Sequence, residues 1–260
     1  MIPYIIAALF GSIIGSFLNV CVYRIPEKRS IAYPPSQCGA CNARLQPLDL
    51  VPIFSYIFLR GKCRYCKSKV SIQYPVIELT NGLLYMLAYH FFDISIISIA
   101  YSVLFSILLT VAVIDYKTMR IPNTIIIFGL ICGSAYLLVS ALYYKDPYII
   151  IRGLLGMISG GAIIGLFMLI SLLLFKKQGM GMGDLKLLAM IGLFVGSKHV
   201  LYTIFIAVIL AGICGVAILI KGKKEKEVFP FGPFISAGAV IGILWGSALW
   251  STYLSLINYV

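Results

Sequence analysis

The chain has 260 residues, 61% of them hydrophobic and only 12% charged, with a mean hydropathy of +1.00 and a net charge of +12. Soluble domains run at roughly 45–50% apolar and about 25% charged, so a water-soluble enzyme or binding module is excluded. Apolar runs of this length satisfy their backbone groups in lipid only as helices, and positive charge confined to loops argues for membrane orientation and against a nucleic-acid partner.

In chain order, the first apolar run, residues 2–22, is followed and not preceded by a basic residue, Arg24. It is therefore expected to be a retained first span (1–23) and not a cleavable leader. A polar loop covers 24–73, and further apolar runs occupy 74–92, 95–114, 123–143, 149–175, 185–197, 200–220 and 231–257. The sixth span is short and flanked by glycine, which leaves a partial or re-entrant helix open there. With the 24–73 loop in the cytosol, eighteen of the 21 Lys and Arg fall inside, and Lys145, Arg152 and Lys198 are left outside. That bias fixes the orientation. The expected fold is an all-α polytopic membrane protein of about eight transmembrane helices with a cytosolic zinc-ribbon-like loop.

Three of the seven cysteines, Cys21, Cys132 and Cys214, are scattered through spans, where a free cysteine is usually a small buried hydrophobe. The other four read Cys38-Gly-Ala-Cys41 and Cys63-Arg-Tyr-Cys66 in the polar loop. Two such pairs converge on one tetrahedral thiolate site, for which Zn2+ is the natural occupant. A disulfide pairing is the rival, and a reducing cytosol opposes it. Lys62, Arg64, Lys67 and Lys69 also favour thiolate over thiol. Four protein ligands leave no open position, so the metal is expected to fold the loop and not to hydrolyse anything.

Nine acidic residues are few enough to weigh individually. Glu225 and Glu227 sit among lysines, Glu27 and Asp49 read as ordinary surface groups of the polar loop, and Asp93 and Asp146 fall in short external turns. Glu78, Asp115 and Asp184 remain, at or inside span ends, where an acid costs about 2.5–3.5 kcal/mol at mid-bilayer and less near an interface. Asp115 has Lys117 and Arg120 nearby and Asp184 has Lys186, so an ion pair competes with a functional reading for each. On the topology above both acids lie at one depth, on the cytosolic side. Two adjacent carboxylates share a proton, and one then activates water while the other polarises a peptide carbonyl. The glycines of Gly179-Met-Gly181-Met-Gly183-Asp184 let a substrate strand approach the backbone closely. Glu78 stays open between a polar plug and a binding or catalytic role.

Along nearly its whole length the chain resembles the type IV prepilin peptidases, bifunctional leader peptidase/N-methyltransferases of bacterial membranes. The likeness is carried by Gly15-Ser-Phe-Leu-Asn-Val-Cys-Val-Tyr-Arg-Ile-Pro26, the four cysteines with Pro52-Ile-Phe-Ser-Tyr56 and Leu59-Arg-Gly-Lys-Cys63 between them, and Tyr74-Pro-Val-Ile-Glu-Leu79. It continues in Asp115-x5-Ile121-Pro122-Asn123, Gly181-x-Gly183-Asp184-x-Lys186 and Pro230-Phe-Gly-Pro-Phe234. The resemblance implies a GxGD-type aspartic peptidase of the bacterial cytoplasmic (inner) membrane, with Asp115 and Asp184 as the catalytic pair. Its substrates would be prepilins and pseudopilins of type IV pilus and type II secretion systems, cut after a short basic leader. The new N-terminus would then be methylated with S-adenosylmethionine. On that reading residues 24–73 with 74–92 form the N-methyltransferase region and 95–260 the peptidase domain, with membrane lipid as the surrounding partner.

No Rossmann-type glycine motif is present, so methyl transfer is expected from the 24–80 region, where Gly61, Lys62 and Glu78 match family positions. Positioning could dominate that step, because an α-amine of pKa ~7.7–8.0 needs little help to lose its proton. Gly61 has a turn glycine as its competing reading. Two other functional classes compete with the whole assignment. One is a transporter or channel with a cation-binding Asp pair and a regulatory zinc ribbon; the other is a zinc-dependent assembly factor without catalysis.

Overall fold

The computed structural model describes residues 1–175, 181–220 and 230–258, and the regular structure in these is helical. In chain order the helices are α1 (Ile2–Arg24), α2 (Phe54–Phe58), α3 (Gln73–Phe92), α4 (Ile96–Thr118), α5 (Asn123–Tyr144), α6 (Tyr148–Phe175), α7 (Met182–Ile220) and α8 (Gly232–Asn258). Their ends follow local chemistry. Asp93 and Lys145 take positive φ (49° and 53°) and stop α3 and α5, Pro122 precedes α5, and Asp146 Oδ1 accepts the Tyr148 N–H (3.0 Å) where α6 begins.

Six helices, α1 and α4 to α8, are long and apolar enough to cross a membrane. The count of eight differs at two places. The expected span 74–92 forms as α3, but Glu78, Asn81 and His90 keep it outside the strongly apolar set. The expected spans 185–197 and 200–220 both belong to α7, which is interrupted at a single residue, Gly196, whose φ of 74° and ψ of 170° are non-helical. A glycine takes that conformation without a Cβ penalty, so the chain breaks direction there with no intervening loop. Lys176, Lys177, Lys221, Lys223, Lys224, Lys226, Glu225 and Glu227, part of the charge pattern above, and Gly179 and Met180 of the glycine-rich motif lie outside the described residues.

The chain forms two compact units, Met1–Thr110 and Val111–Val260. In the first, α1 packs on α3 through small residues, the usual way helices associate where lipid is as apolar as the side chains. A Cβ on Gly15 would lie 2.8 Å from the Glu78 Cα, and one on Gly11 the same distance from the Asn81 carbonyl oxygen. Polar rungs cross the same packing. Asn81, fully buried, donates to the Gly11 carbonyl (2.7 Å) and accepts from Ser106 of α4 (3.0 Å). In the second unit α7 is the central element and packs against α5, α6 and α8. Gly156 of α6 and Gly192 of α7 face each other so closely that a Cβ on either would strike the other's backbone.

Candidate active site

Asp115 and Asp184 both belong to the second unit. Asp115 stands in the last turn of α4 and Asp184 in the first turn of α7, one turn deeper into each helix than the apolar runs alone indicate. Both are buried, at 5% and 9% exposure. The glycine-rich motif has a local explanation: Gly181 acts as the helix cap and Asp184 is the third residue after it. The Gly181 N–H donates to Asp184 Oδ2 (3.2 Å), and the Asp184 N–H donates to the Gly181 carbonyl (3.1 Å). This is the acid half of a capping box, and a carboxylate in the first turn also meets the positive end of the helix dipole. An acid is accepted at the mouth of this apolar helix because the cap satisfies it.

The two signature segments lock onto each other. A Cβ on Gly183 would approach Ile121 Cβ to 3.1 Å, and Lys186 Nζ donates to Asn123 Oδ1 at 3.0 Å. Asp115 Oδ2 accepts the N–H of Gly232, the first residue of α8, at 2.9 Å in a buried setting. Among the described residues the only ion pairs are Arg29–Glu27 and Arg64–Asp49, so the cations next in sequence do not neutralise either acid. A buried carboxylate is expensive unless hydrogen-bonded, and here glycine N–H groups provide bonds.

In the first unit the four cysteine sulfurs lie within 4.8 Å of one another, and all four thiols are free. Cys38 and Cys66 Sγ are 3.8 Å apart; thiolates about 2.3 Å from a tetrahedral Zn2+ are separated by about 3.8 Å. Two matching knuckles build the cluster. In the first, Cys38 N–H donates to Ala43 O, Asn42 N–H to Cys38 O and Leu45 N–H to Ser36 O; in the second, Cys63 donates to Ser68, Lys67 to Cys63 and Val70 to Gly61. Asn42 and Lys67, at equivalent positions, both take positive φ (57° and 60°). The N–H groups of Ala40 and Cys41 pull the Cys38 thiol down to about 6. The donor set therefore fits a structural zinc.

Asp49 is not the ordinary surface acid its sequence position suggested. Its side chain is only 3% exposed and accepts from Arg64 Nε (2.6 Å), the Gln46 N–H (3.1 Å) and the Tyr65 hydroxyl (3.5 Å). It ties the short 3-10 turn Pro47–Leu50 to the second knuckle. No local pattern announces a contact between residues so far apart in the loop.

The residues matched to methyl transfer bracket α2. Glu78, buried in α3, accepts the Ile53 N–H at 2.7 Å (Oε2) just ahead of α2. Gly61 follows α2 with φ +66°, its N–H donates to Tyr56 O (2.8 Å), and a Cβ there would lie 2.9 Å from the Tyr56 hydroxyl. The turn requirement alone accounts for glycine at this position. Lys62 is exposed beside it. Ile53 itself holds φ 63°, unusual for a β-branched residue, so the Glu78 contact holds a strained backbone in place.

Comparison with known proteins yields two family models. The bacterial peptidase A24 N-terminal domain matches residues 9–92, and the type IV leader peptidase family matches residues 102–216. Among curated relatives, a prepilin leader peptidase/N-methyltransferase of Bacillus subtilis (strain 168) is 36% identical over 249 residues, covering 95% of this chain and 96% of the relative. One from Pseudomonas putida is 29% identical over 279 residues, covering 98% and 94%. Another, from Pseudomonas aeruginosa, is 30% identical over 280 residues, covering 96% and 93%. No solved structure matches the chain.

Proposed function

The chain belongs to the type IV leader peptidase family, and from that premise we propose that it removes the basic leader of prepilins or pseudopilins with Asp115 and Asp184 and then methylates the new N-terminus. The observation that carries the peptidase half is the pair of buried acids in terminal turns of α4 and α7, whose signature segments touch through Gly183–Ile121 and Lys186–Asn123, each acid bonded by a glycine N–H and neither in an ion pair among the described residues. In the cleavage step one carboxylate takes a proton from water as it attacks the scissile carbonyl. The other, protonated, donates to the carbonyl oxygen; as the C–N bond breaks, the first passes the proton it took from water to the leaving amine, and the second recovers its own from the diol hydroxyl. Burial of both acids excludes bulk water around the tetrahedral intermediate. Helix ends on the inner side of the bilayer are where a leader held in the cytosol would present its cleavage site. A transport site, the competing reading, would instead put the acids at mid-depth, and both stand in terminal turns.

Methyl transfer is assigned to residues 24–92 and cleavage to 95–260. S-adenosylmethionine, when bound, supplies the methyl group. Within this region Glu78 carries a buried carboxylate that, unlike Asp49, has no ion pair among the described residues, suited to holding an α-ammonium group, with Lys62 and Gly61 across α2 from it. Zinc held by Cys38, Cys41, Cys63 and Cys66 would act as a staple for the loop.

The test is a membrane assay with a prepilin-like peptide and S-adenosylmethionine, reading product masses. Asp115→Asn and Asp184→Asn should each lower cleavage by about 10²–10⁴-fold, while a peptide supplied already cleaved is still methylated. Full processing by either variant refutes the assignment.

A further inference from the structure

We propose that Gly232 is a positioning residue for cleavage: the first N–H of α8 fixes the rotamer of Asp115, and no residue larger than glycine leaves room for that carboxylate. This rests on Asp115 being a catalytic acid, and it adds a third segment of the chain to the two that carry the aspartates.

The argument begins with the donors at the start of α8. A helix N-terminus offers N–H groups that its own carbonyls cannot satisfy. In Pro230-Phe-Gly-Pro-Phe234 the choice is narrowed by the sequence. Pro233 has no N–H, and the N–H groups of Phe234 and Ile235 both go to the Phe231 carbonyl, at 3.0 and 3.1 Å. The Gly232 N–H is directed to Asp115 Oδ2, at 2.9 Å and buried. A carboxylate there gains a charge-assisted hydrogen bond and the positive end of a 27-residue helix.

Space then dictates the residue type. A Cβ on Gly232 would stand 2.6 Å from Asp115 Oδ2 and 3.1 Å from its Cβ and Cγ. The group that must move is the acid itself. The helix does not readily retreat, since α8 is packed on α7 and a Cβ on Gly238 would already lie 2.6 Å from the Thr203 carbonyl. The two acids are therefore held differently. Asp184 takes its N–H from Gly181, three residues earlier, and carries its own support wherever α7 goes. Asp115 depends on a donor 117 residues away, so α8 sets the aim of one acid relative to the helix that bears the other.

The experiment uses the full-length enzyme with a prepilin-like peptide. Gly232→Ala should lower kcat for cleavage by about 10²-fold, the order expected when a catalytic group is displaced by an ångström, with KM within about twofold of wild type. Methylation of an already-cleaved peptide should persist. Gly246→Ala, which forces a Cβ into Tyr202 elsewhere on the same α7–α8 packing, should leave the cleavage kcat near wild type. A wild-type kcat for Gly232→Ala, or an equal loss in Gly246→Ala, overturns the proposal. Should Gly232→Ala fail to accumulate, hydrogen exchange decides. Amide exchange at the start of α8 should accelerate in Asp115→Ala and not in Asp184→Ala, and equal rates in the two contradict it. An active Asp115→Asn enzyme would instead sink the catalytic reading. An inactive Asp115→Asn beside a fully active Gly232→Ala would sink only the positioning role.

Discussion

Lys186 lies two residues beyond Asp184, yet its ammonium goes to Asn123 Oδ1 and joins the two signature segments. That contact explains why a lysine and an asparagine occupy these positions better than charge neutralisation does. Lys186→Met and Asn123→Leu should each slow cleavage, and the double variant should be no slower than the worse single one. The coupling read from that cycle should be about 0.5–1.5 kcal/mol, the worth of a partly exposed hydrogen bond; strictly additive effects would make the contact incidental. At this scale the sequence shows residues whose chemistry demands a type and a spacing: an acid in an apolar run, or four cysteines in two pairs. It does not show partners that are remote in the chain. Asp49 looked like a surface acid because Arg64 is fifteen residues away, and Gly232 had no evident role because Asp115 is far upstream.

Among the elements, the loop of two knuckles depends on few apolar contacts, since Cys63 is the one hydrophobic residue of Cys38–Val70 that is buried. Polar ties, with the zinc proposed for the four cysteines, are left to hold it. Cys38→Ser should lower bound zinc, measured by mass spectrometry of the purified protein, and impair methylation more than cleavage; unchanged metal content would count against the ribbon. Asp49→Asn tests the other tie. Burial alone would raise the Asp49 carboxyl, but the Arg64 guanidinium and the Gln46 N–H outweigh it and hold the group below the usual carboxylate range. A folded-state pKa depressed in this way stabilises the loop above the unfolded value of about 3.9 and loses that contribution as pH falls through the folded value. Limited proteolysis should thus find the Asp49→Asn loop more open than wild type at pH 7, with the difference shrinking toward pH 3; a loop equally resistant at pH 7 would remove Asp49 from the clamp. The helices themselves were legible because apolar length nearly forces them in lipid. The single-residue break at Gly196 was not, because a glycine in an apolar run is equally compatible with close helix packing, as Gly192 shows.

For the whole molecule, orientation decides whether the acids can meet their substrate. Eighteen of 21 basic residues fall on one side of the expected topology, and retaining Lys and Arg in the cytosol is the dominant determinant of membrane orientation. Lys117 and Arg120 follow Asp115, and Lys186 follows Asp184, so charge that enters the expected topology flanks the acids themselves. One labelling experiment in intact cells therefore decides the orientation. Lys28→Cys, in the polar loop after α1, should react with a membrane-impermeant maleimide only after the membrane is opened. Lys145→Cys, exposed at the end of α5, should react before. Each signal is read above that of the parent protein, whose own cysteines supply the background. The opposite pattern would carry the turns holding Asp115 and Asp184 to the outer face, away from a leader retained in the cytosol, and cleavage of prepilins by this pair would then be ruled out on geometry alone.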